Sequence, residues 1–215
     1  MKRGWRRTIT LARQTDSRSG HFEKCFGDAW LARTIELSRG IEASGRPATI
    51  KLMPQKEHTL TISWKDPRVL VEAGRGLSGL EFLRKIVAGE LPPPPIASLM
   101  NFDLVELHEG GATFAVNPAE YHYNPIGVVH GGLAATLLDS AMGCAIHSTL
   151  PAGAGYTTLE IKVNFVRAMT AETGRVRCEA KVIHVGGRTA TAEGRIVDEA
   201  GKLYAHGTTT CLVLR

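Results

Sequence analysis

What this chain of 215 residues lacks narrows its function before any motif is read. No stretch approaches the ~18 uninterrupted apolar residues that a membrane-spanning helix needs, so no membrane partner is expected. The four cysteines, Cys25, Cys144, Cys178 and Cys211, show no CxxC spacing, which removes the simplest zinc and dithiol motifs. Buried free thiols in a reducing, cytoplasmic compartment are the expectation they leave. His147, His184 and His206 have no metal-ligand spacing, and no metal is expected. The chain also lacks an internal repeat, a glycine fingerprint opening a βαβ unit, and a serine nucleophile elbow. No bound cofactor is expected.

Acidic residues are missing before Asp16, and the opening Met1-Lys2-Arg3-Gly4-Trp5-Arg6-Arg7 is strongly basic. Residues 1–52 hold 11 Lys and Arg against 5 Asp and Glu, a balance of +6. The remainder holds 15 against 16, or −1, of the total +5. Basicity therefore belongs to the N-terminal segment, and nucleic-acid binding by the body of the chain finds no support. The segment reads as a transit peptide, as a poorly ordered tail, or as an over-called frame whose true start is Met53. Trp30, Leu31, Ile35 and Ile41 allow a weak helix over 29–41. The expected division is a basic extension over 1–62, a helical and proline-rich lead-in over 63–95, and one main domain over 96–215.

Periodicity gives the order of elements. Ser78-Gly79-Leu80-Glu81 has capping-box spacing and opens a helix over Leu80 to Ala88, closed by Gly89. Leu91-Pro92-Pro93-Pro94-Pro95-Ile96 is expected to run extended, followed by a short apolar turn to Met100. Strands are expected over Phe102 to Leu107 and Ala112 to Val116, with a tight hairpin at Glu109-Gly110-Gly111. A long apolar helix starts at Gly131. Beyond it Leu159, Ile161, Val163 and Phe165 alternate with Thr158, Glu160, Lys162 and Asn164. Further strands cover Val176 to Val182, Arg188 to Val197 and Leu203 to Leu214. The order β-β-α-β-β-β-β with short turns predicts an α+β fold, one antiparallel sheet of about six strands wrapped around a single helix.

That helix, Gly131 to Ile146, is apolar on nearly every face, yet Asp139 sits in its middle. A helix hydrophobic all round is normally buried, so Asp139 is expected to be buried and either paired or working. The loop Asn124-Pro125-Ile126-Gly127-Val128-Val129-His130-Gly131-Gly132 precedes it. Its final glycines can present bare N–H groups at a helix N-terminus, where the dipole favours negative charge. A carboxylate with oriented donors is the outline of an acyl-transfer site. A thioester suits it, because a thiolate leaves without strong acid help, and one carboxylate can serve as base or nucleophile. The bland alternatives are a structural Asp, glycines that relieve crowding, and a His130 that braces the loop. Asn124, preceding a proline, either caps the loop or holds water or a carbonyl. Tyr121-His122-Tyr123 either lines an acyl pocket or covers a sheet edge.

The order of elements, with Asn124-x5-His130-Gly131-Gly132-x6-Asp139, resembles the hotdog-fold acyl-CoA thioesterases of the phenylacetate-pathway (PaaI-like) type over about residues 95–215. The resemblance implies a dimer, or a tetramer, that hydrolyses acyl-CoA to acid and coenzyme A. It implies that Asn124 orients or polarises, that Gly131 binds the thioester oxygen, and that Asp139 activates water or attacks. His130 and Thr158 complete the catalytic candidates. Gly132, Arg188 and Arg167 are the substrate-binding ones, the arginines for coenzyme A phosphates. The rivals are a hotdog-fold hydratase or dehydratase and a non-catalytic acyl-CoA sensor. Gly131 and Asp139 lie eight residues apart, roughly 12 Å along a helix. One chain cannot bring both to one carbonyl, so a two-fold dimer with shared sites is expected.

Overall fold

Alternating small and branched residues, punctuated by glycine turns, give residues 102–215 six strands around one long helix. The structure, a computed structural model, describes residues 56–215. The helix expected over 29–41 and Cys25 lie outside the described residues. The elements are α1 (Arg68–Gly74), α2 (Gly79–Val87), α3 (Pro95–Met100), β1 (Phe102–His108), β2 (Gly111–Val116), α4 (Gly131–His147), β3 (Gly155–Phe165), β4 (Val176–Val185), β5 (Thr189–Asp198) and β6 (Leu203–Leu214). The strands form one antiparallel sheet in the order β1-β2-β4-β5-β6-β3. This is the α+β hotdog fold, with α4 as the central helix.

The capping box forms as its spacing predicts: Glu81 N–H donates to Ser78 Oγ and Ser78 N–H to the Glu81 carboxylate, at 3.3 and 2.9 Å. Gly89, at φ +74°, stops the helix. Two local expectations change. The extended proline run ends at Pro94, because Pro95 takes the first position of α3, where a missing N–H costs nothing. The apolar turn to Met100 is therefore helical. Helix α1 gave no signal in the sequence, since it has no side-chain cap and buries no residue.

Helix α4 lies on one face of the sheet. Leu137, Leu138, Met142 and Ile146 are 0% exposed, and each such side chain contributes about 1.5–3 kcal/mol by leaving water. The helix approaches so closely because the strands beneath it carry small residues. Gly194 and Gly207 are register partners on β5 and β6, and a Cβ at Gly194 would stand 3.1 Å from Leu138 Cδ2. Strand β3 pairs only with β6 and forms the sheet edge nearest the chemistry described below.

The alternation expected along β3 is interrupted. A register shift between Thr158 and Glu160 makes a β-bulge at Leu159. Ile161 and Val163 pack on the core as expected, but Leu159 is 59% exposed. Ahead of the bulge the inward face therefore belongs to Tyr156 and Thr158. One extra residue reverses which side chains look at the helix.

Candidate active site

The bulge is what brings Thr158 to α4: its hydroxyl donates to Asp139 Oδ1 at 2.9 Å. That bond joins the central helix to the edge strand and fixes the carboxylate's orientation. Thr158 Oγ1 also lies 3.9 Å from Cys211 Sγ. Asp139 itself is exposed in the single chain, which corrects the expectation of a buried carboxylate. The reason is the position of α4 at the sheet edge. One helix face is buried on β2, β4, β5 and β6, while Thr136, Asp139, Ser140, Cys144 and His147 remain partly or fully uncovered.

At the other end of α4, His130 is the N-cap, and its Nδ1 accepts from Gly132 N–H at 2.8 Å. Leu133 N–H donates to the His130 carbonyl at 3.0 Å. The amide of Gly132, a substrate-binding candidate, is thereby occupied. Gly131 N–H has no recorded acceptor among the described residues, so it is the helix-terminal donor open to a ligand. Its lack of a side chain matters for a second reason: a Cβ there would stand 3.0 Å from the Phe165 ring. His130 Nδ1 is an acceptor in this geometry, which puts the ring in the bracing role.

Asn124 shapes the loop. Its Oδ1 accepts from Ile126 and Val128 N–H at 3.1 and 3.3 Å, and its own N–H donates to the Val128 carbonyl at 2.8 Å. The side-chain oxygen is thus committed to the loop, and Nδ2 is the part of the amide left for a ligand. His122 holds the same loop from beneath. Its Nδ1 accepts from Ala119 N–H at 3.1 Å, its Nε2–H donates to the Met100 carbonyl at 3.1 Å, and its own carbonyl accepts from His130 N–H at 2.8 Å. Burial holds the His122 ring below its ordinary pKa. Of the aromatic triplet, His122 is buried, Tyr123 Oη accepts from Ala171 N–H at 2.8 Å, and Tyr121 is exposed. Periodicity gave no sign of these bracing bonds, because their partners are backbone groups, which any residue type supplies.

The two arginine candidates are not brought together. Arg188 immediately precedes β5, and its carbonyl accepts from Val213 N–H, level with Tyr156. Arg167 lies beyond the other end of β3, with Nη1 on the Leu203 carbonyl at 2.6 Å and the guanidinium 5.8 Å from the Tyr204 ring. Nine strand residues separate their levels on β6, roughly 30 Å. Arg188 is exposed and makes no ion pair among the described residues.

The three described cysteines are poor nucleophiles. Burial, helped by the nearby Asp139 charge, pushes the Cys144 thiol up to about 12, and burial raises those of Cys178 and Cys211. Each is therefore an unreactive thiol at neutral pH. All three are free of disulfides. Among the described residues no group of three His, Cys, Asp or Glu could hold a metal. A groove of about 560 Å³ lies on the sheet face away from α4. Its charges pair across strands, Lys181 with Glu193 at 3.0 Å and Arg195 with Glu179 at 2.9 Å. Among the described residues no helix is long and apolar enough to cross a membrane.

Asp139, Thr158 and an open helix-terminal amide thus sit on a hotdog fold, and comparison with known proteins agrees with that class. Residues 126–205 match the thioesterase superfamily. The chain belongs to this superfamily of hotdog-fold proteins. A conserved protein of Pseudomonas aeruginosa is 34% identical, with a TM-score of 0.54, over 57% of this chain and 95% of that one. A thioesterase related to phenylacetic acid degradation, from Ralstonia eutropha, is 27% identical, with a TM-score of 0.55, over 60% and 97%. The 1,4-dihydroxy-2-naphthoyl-CoA hydrolase of Escherichia coli is 33% identical over 42% of this chain and 65% of that enzyme. Another curated relative, named as an esterase, is spanned over about half its length, 54%.

Proposed function

We propose that the chain is an acyl-CoA thioesterase of the PaaI-like type, acting as a dimer whose two sites are each built from both chains. The observation that carries this reading is Asp139: a carboxylate exposed on an otherwise apolar helix and held at 2.9 Å by Thr158. Asp139 acts as base toward water or as nucleophile toward the thioester carbon. The Gly131 N–H of the opposite chain stabilises the developing oxyanion, with the helix dipole behind it. Asn124 Nδ2 positions the carbonyl or the water, and His130 holds the donor loop in shape. Coenzyme A leaves as a thiolate, which takes up a proton from solvent. Exposed Arg188 is the better of the two arginines for its phosphates, because Arg167 already has a carbonyl and a ring as partners.

Two features support the dimer. The uncovered face of α4 is built mostly of small residues, among them Ala135, Thr136, Ser140 and Cys144, which allow a close approach, and β3 leaves an 11-residue edge with Leu159 and Phe165 about 60% exposed. A long apolar edge is a template for a further strand. Pairing β3 with β3 across a two-fold axis covers both and sets the central helices antiparallel, so that Gly131 of one chain meets Asp139 of the other. The likeness to two relatives named as 1,4-dihydroxy-2-naphthoyl-CoA hydrolases supports the substrate class.

A panel of acyl-CoA esters, with released thiol as the readout, tests the reaction. Turnover of at least one ester that depends on Asp139 is the expected result. Addition of water to an enoyl-CoA without thiol release would instead reveal a hydratase, and tight binding without turnover a sensor.

A further inference from the structure

Beyond Asp139 the seam between α4 and β3 does not stay open. Tyr156, two residues before Thr158 on the same inward face, lays its ring against α4 at Gly143, one turn past Asp139. A Cβ at Gly143 would stand 2.5 Å from Tyr156 Oη and 2.9 Å from its Cε2, so only glycine admits the ring there. The ring is backed in turn. His147 lies 5.5 Å from Tyr156, centroid to centroid, and Phe82 of α2 lies 5.7 Å from His147. Helix α2 is seated on the end of α4 by Gly79, whose N–H donates to the Leu150 carbonyl at 3.0 Å. A Cβ at Gly79 would clash with the His147 carbonyl. Phe82, which backs His147, thus comes from a helix that precedes the matched superfamily region, 126–205.

We propose that Tyr156, buttressed by His147 and Phe82, is the wall that ends the acyl site and so limits which acyl groups the chain accepts. The inference rests on the acyl-CoA reading above. Asp139 and Gly143 are one helical turn apart, about 6 Å, and Thr158 and Tyr156 about 7 Å apart on the strand. A thioester carbon held at Asp139 therefore stands about the length of a planar ring or a short chain from Tyr156. An apolar acyl group favours this end because it is desolvated: burial is the main cause that raises the Tyr156 phenol well above its ordinary pKa. The opposite end of the seam is open, with Phe165 60% exposed beside Gly131. The spacing from Asp139 to Tyr156 matches acyl groups of benzoyl or butyryl size and is shorter than a decanoyl chain.

The test compares benzoyl-, butyryl- and decanoyl-CoA, and their uncleavable thioether analogues, on the full chain. The wild type is expected to bind the two small analogues, and to cleave the two small esters, at least about tenfold better than decanoyl. Single-methylene changes in an apolar pocket shift selectivity about 10–200-fold. Tyr156→Ala should raise decanoyl kcat/KM and binding by a factor in that range, whereas Tyr156→Phe should keep the wild-type ranking. If Tyr156→Ala fails to fold, Tyr156→Val carries the same expectation, with a residue suited to a strand. An unchanged ranking in a folded variant overturns the wall, as does a wild type that prefers decanoyl. A ranking that moves with Phe165→Ala instead places the acyl end at Gly131 and also overturns it. If analogue binding follows Tyr156 while no ester is cleaved, the hydrolase reading fails and the wall stands. If no analogue binds, both fall.

Discussion

The two faces of the central helix differ more than their sequence does. On the sheet side, Leu137, Leu138, Met142 and Ile146 are sealed from solvent. On the other, Thr136, Asp139, Ser140 and Cys144 lie open or half-open along the edge strand. Both faces are rich in small and apolar residues, so the helix reads as buried all round. One chain covers only half of it. The second face carries small residues and one charge, Asp139, in place of large apolar side chains. Stability and chemistry are therefore assigned to opposite sides of one helix, and this separation can be tested side by side.

The largest effects are expected on the open face, in rate and not in stability. Asp139→Asn keeps the shape and the bond to Thr158 but removes the base, so kcat should fall about 10²–10⁴-fold. Because Asp139 is exposed, the melting temperature of the single fold should hardly move. Gly131→Pro removes the amide hydrogen but also adds a Cβ 3.0 Å from the exposed Phe165 ring, so Gly131→Ala, which adds the same Cβ and keeps the N–H, is its control. Proline is well tolerated at the first helical position, and His130 at φ −63°, ψ 135° already has the conformation that a following proline requires. A fall of about 10²–10³-fold in kcat is expected. Mixed dimers of Asp139→Asn and Gly131→Pro chains should regain activity, since one of their two sites is then intact. Dead mixed dimers built from folded chains would falsify the shared site.

On the sheet face the expectation reverses. Leu137→Ala should cost about 2–5 kcal/mol by leaving a cavity against the strands, read as a lower urea midpoint with an unchanged slope. Specific activity per folded molecule should stay near the wild-type value. A large rate loss in folded Leu137→Ala would show that the two faces are coupled after all. A smaller stability effect is expected farther away: Ser78→Ala breaks the α2 capping box and should cost about 1 kcal/mol.

Much of this architecture was legible because it is local. Hairpins, the capping box and strand alternation each leave a pattern within ten residues, and the strands follow their predicted order to within a few positions. Asn124, His130, Gly131 and Asp139 stood out as a loop-and-helix pattern. What the sequence concealed is long-range. Thr158 falls on the outward face by simple alternation, and only the bulge at Leu159 turns it to Asp139. Tyr156 goes unnoticed for the same reason. His122 shows no motif because its partners, Ala119 and Met100, are backbone groups. The exposure of Asp139 was hidden most deeply, since an apolar helix carries no mark of which molecule will cover it.

The gentlest expected effect concerns acid and the loop beneath the open face. Burial is the main reason that the His122 pKa lies below its ordinary value near 6.5, and burial lowers that of His147 too. Protonating His122 would also place a hydrogen on Nδ1, which already accepts from Ala119 N–H. A histidine whose folded pKa is depressed binds protons more readily when unfolded. The stability it contributes is complete above pH 6.5 and is lost as the pH falls below that value toward the folded pKa. The urea midpoint should therefore decline gradually between pH 7.5 and 5.5. In His122→Gln the midpoint should be lower at pH 7.5, and its decline toward pH 5.5 shallower, with the remaining slope belonging partly to His147. A variant whose decline parallels the wild type would remove His122 from this account. It would leave the acid sensitivity with His147, at the C-terminal end of α4.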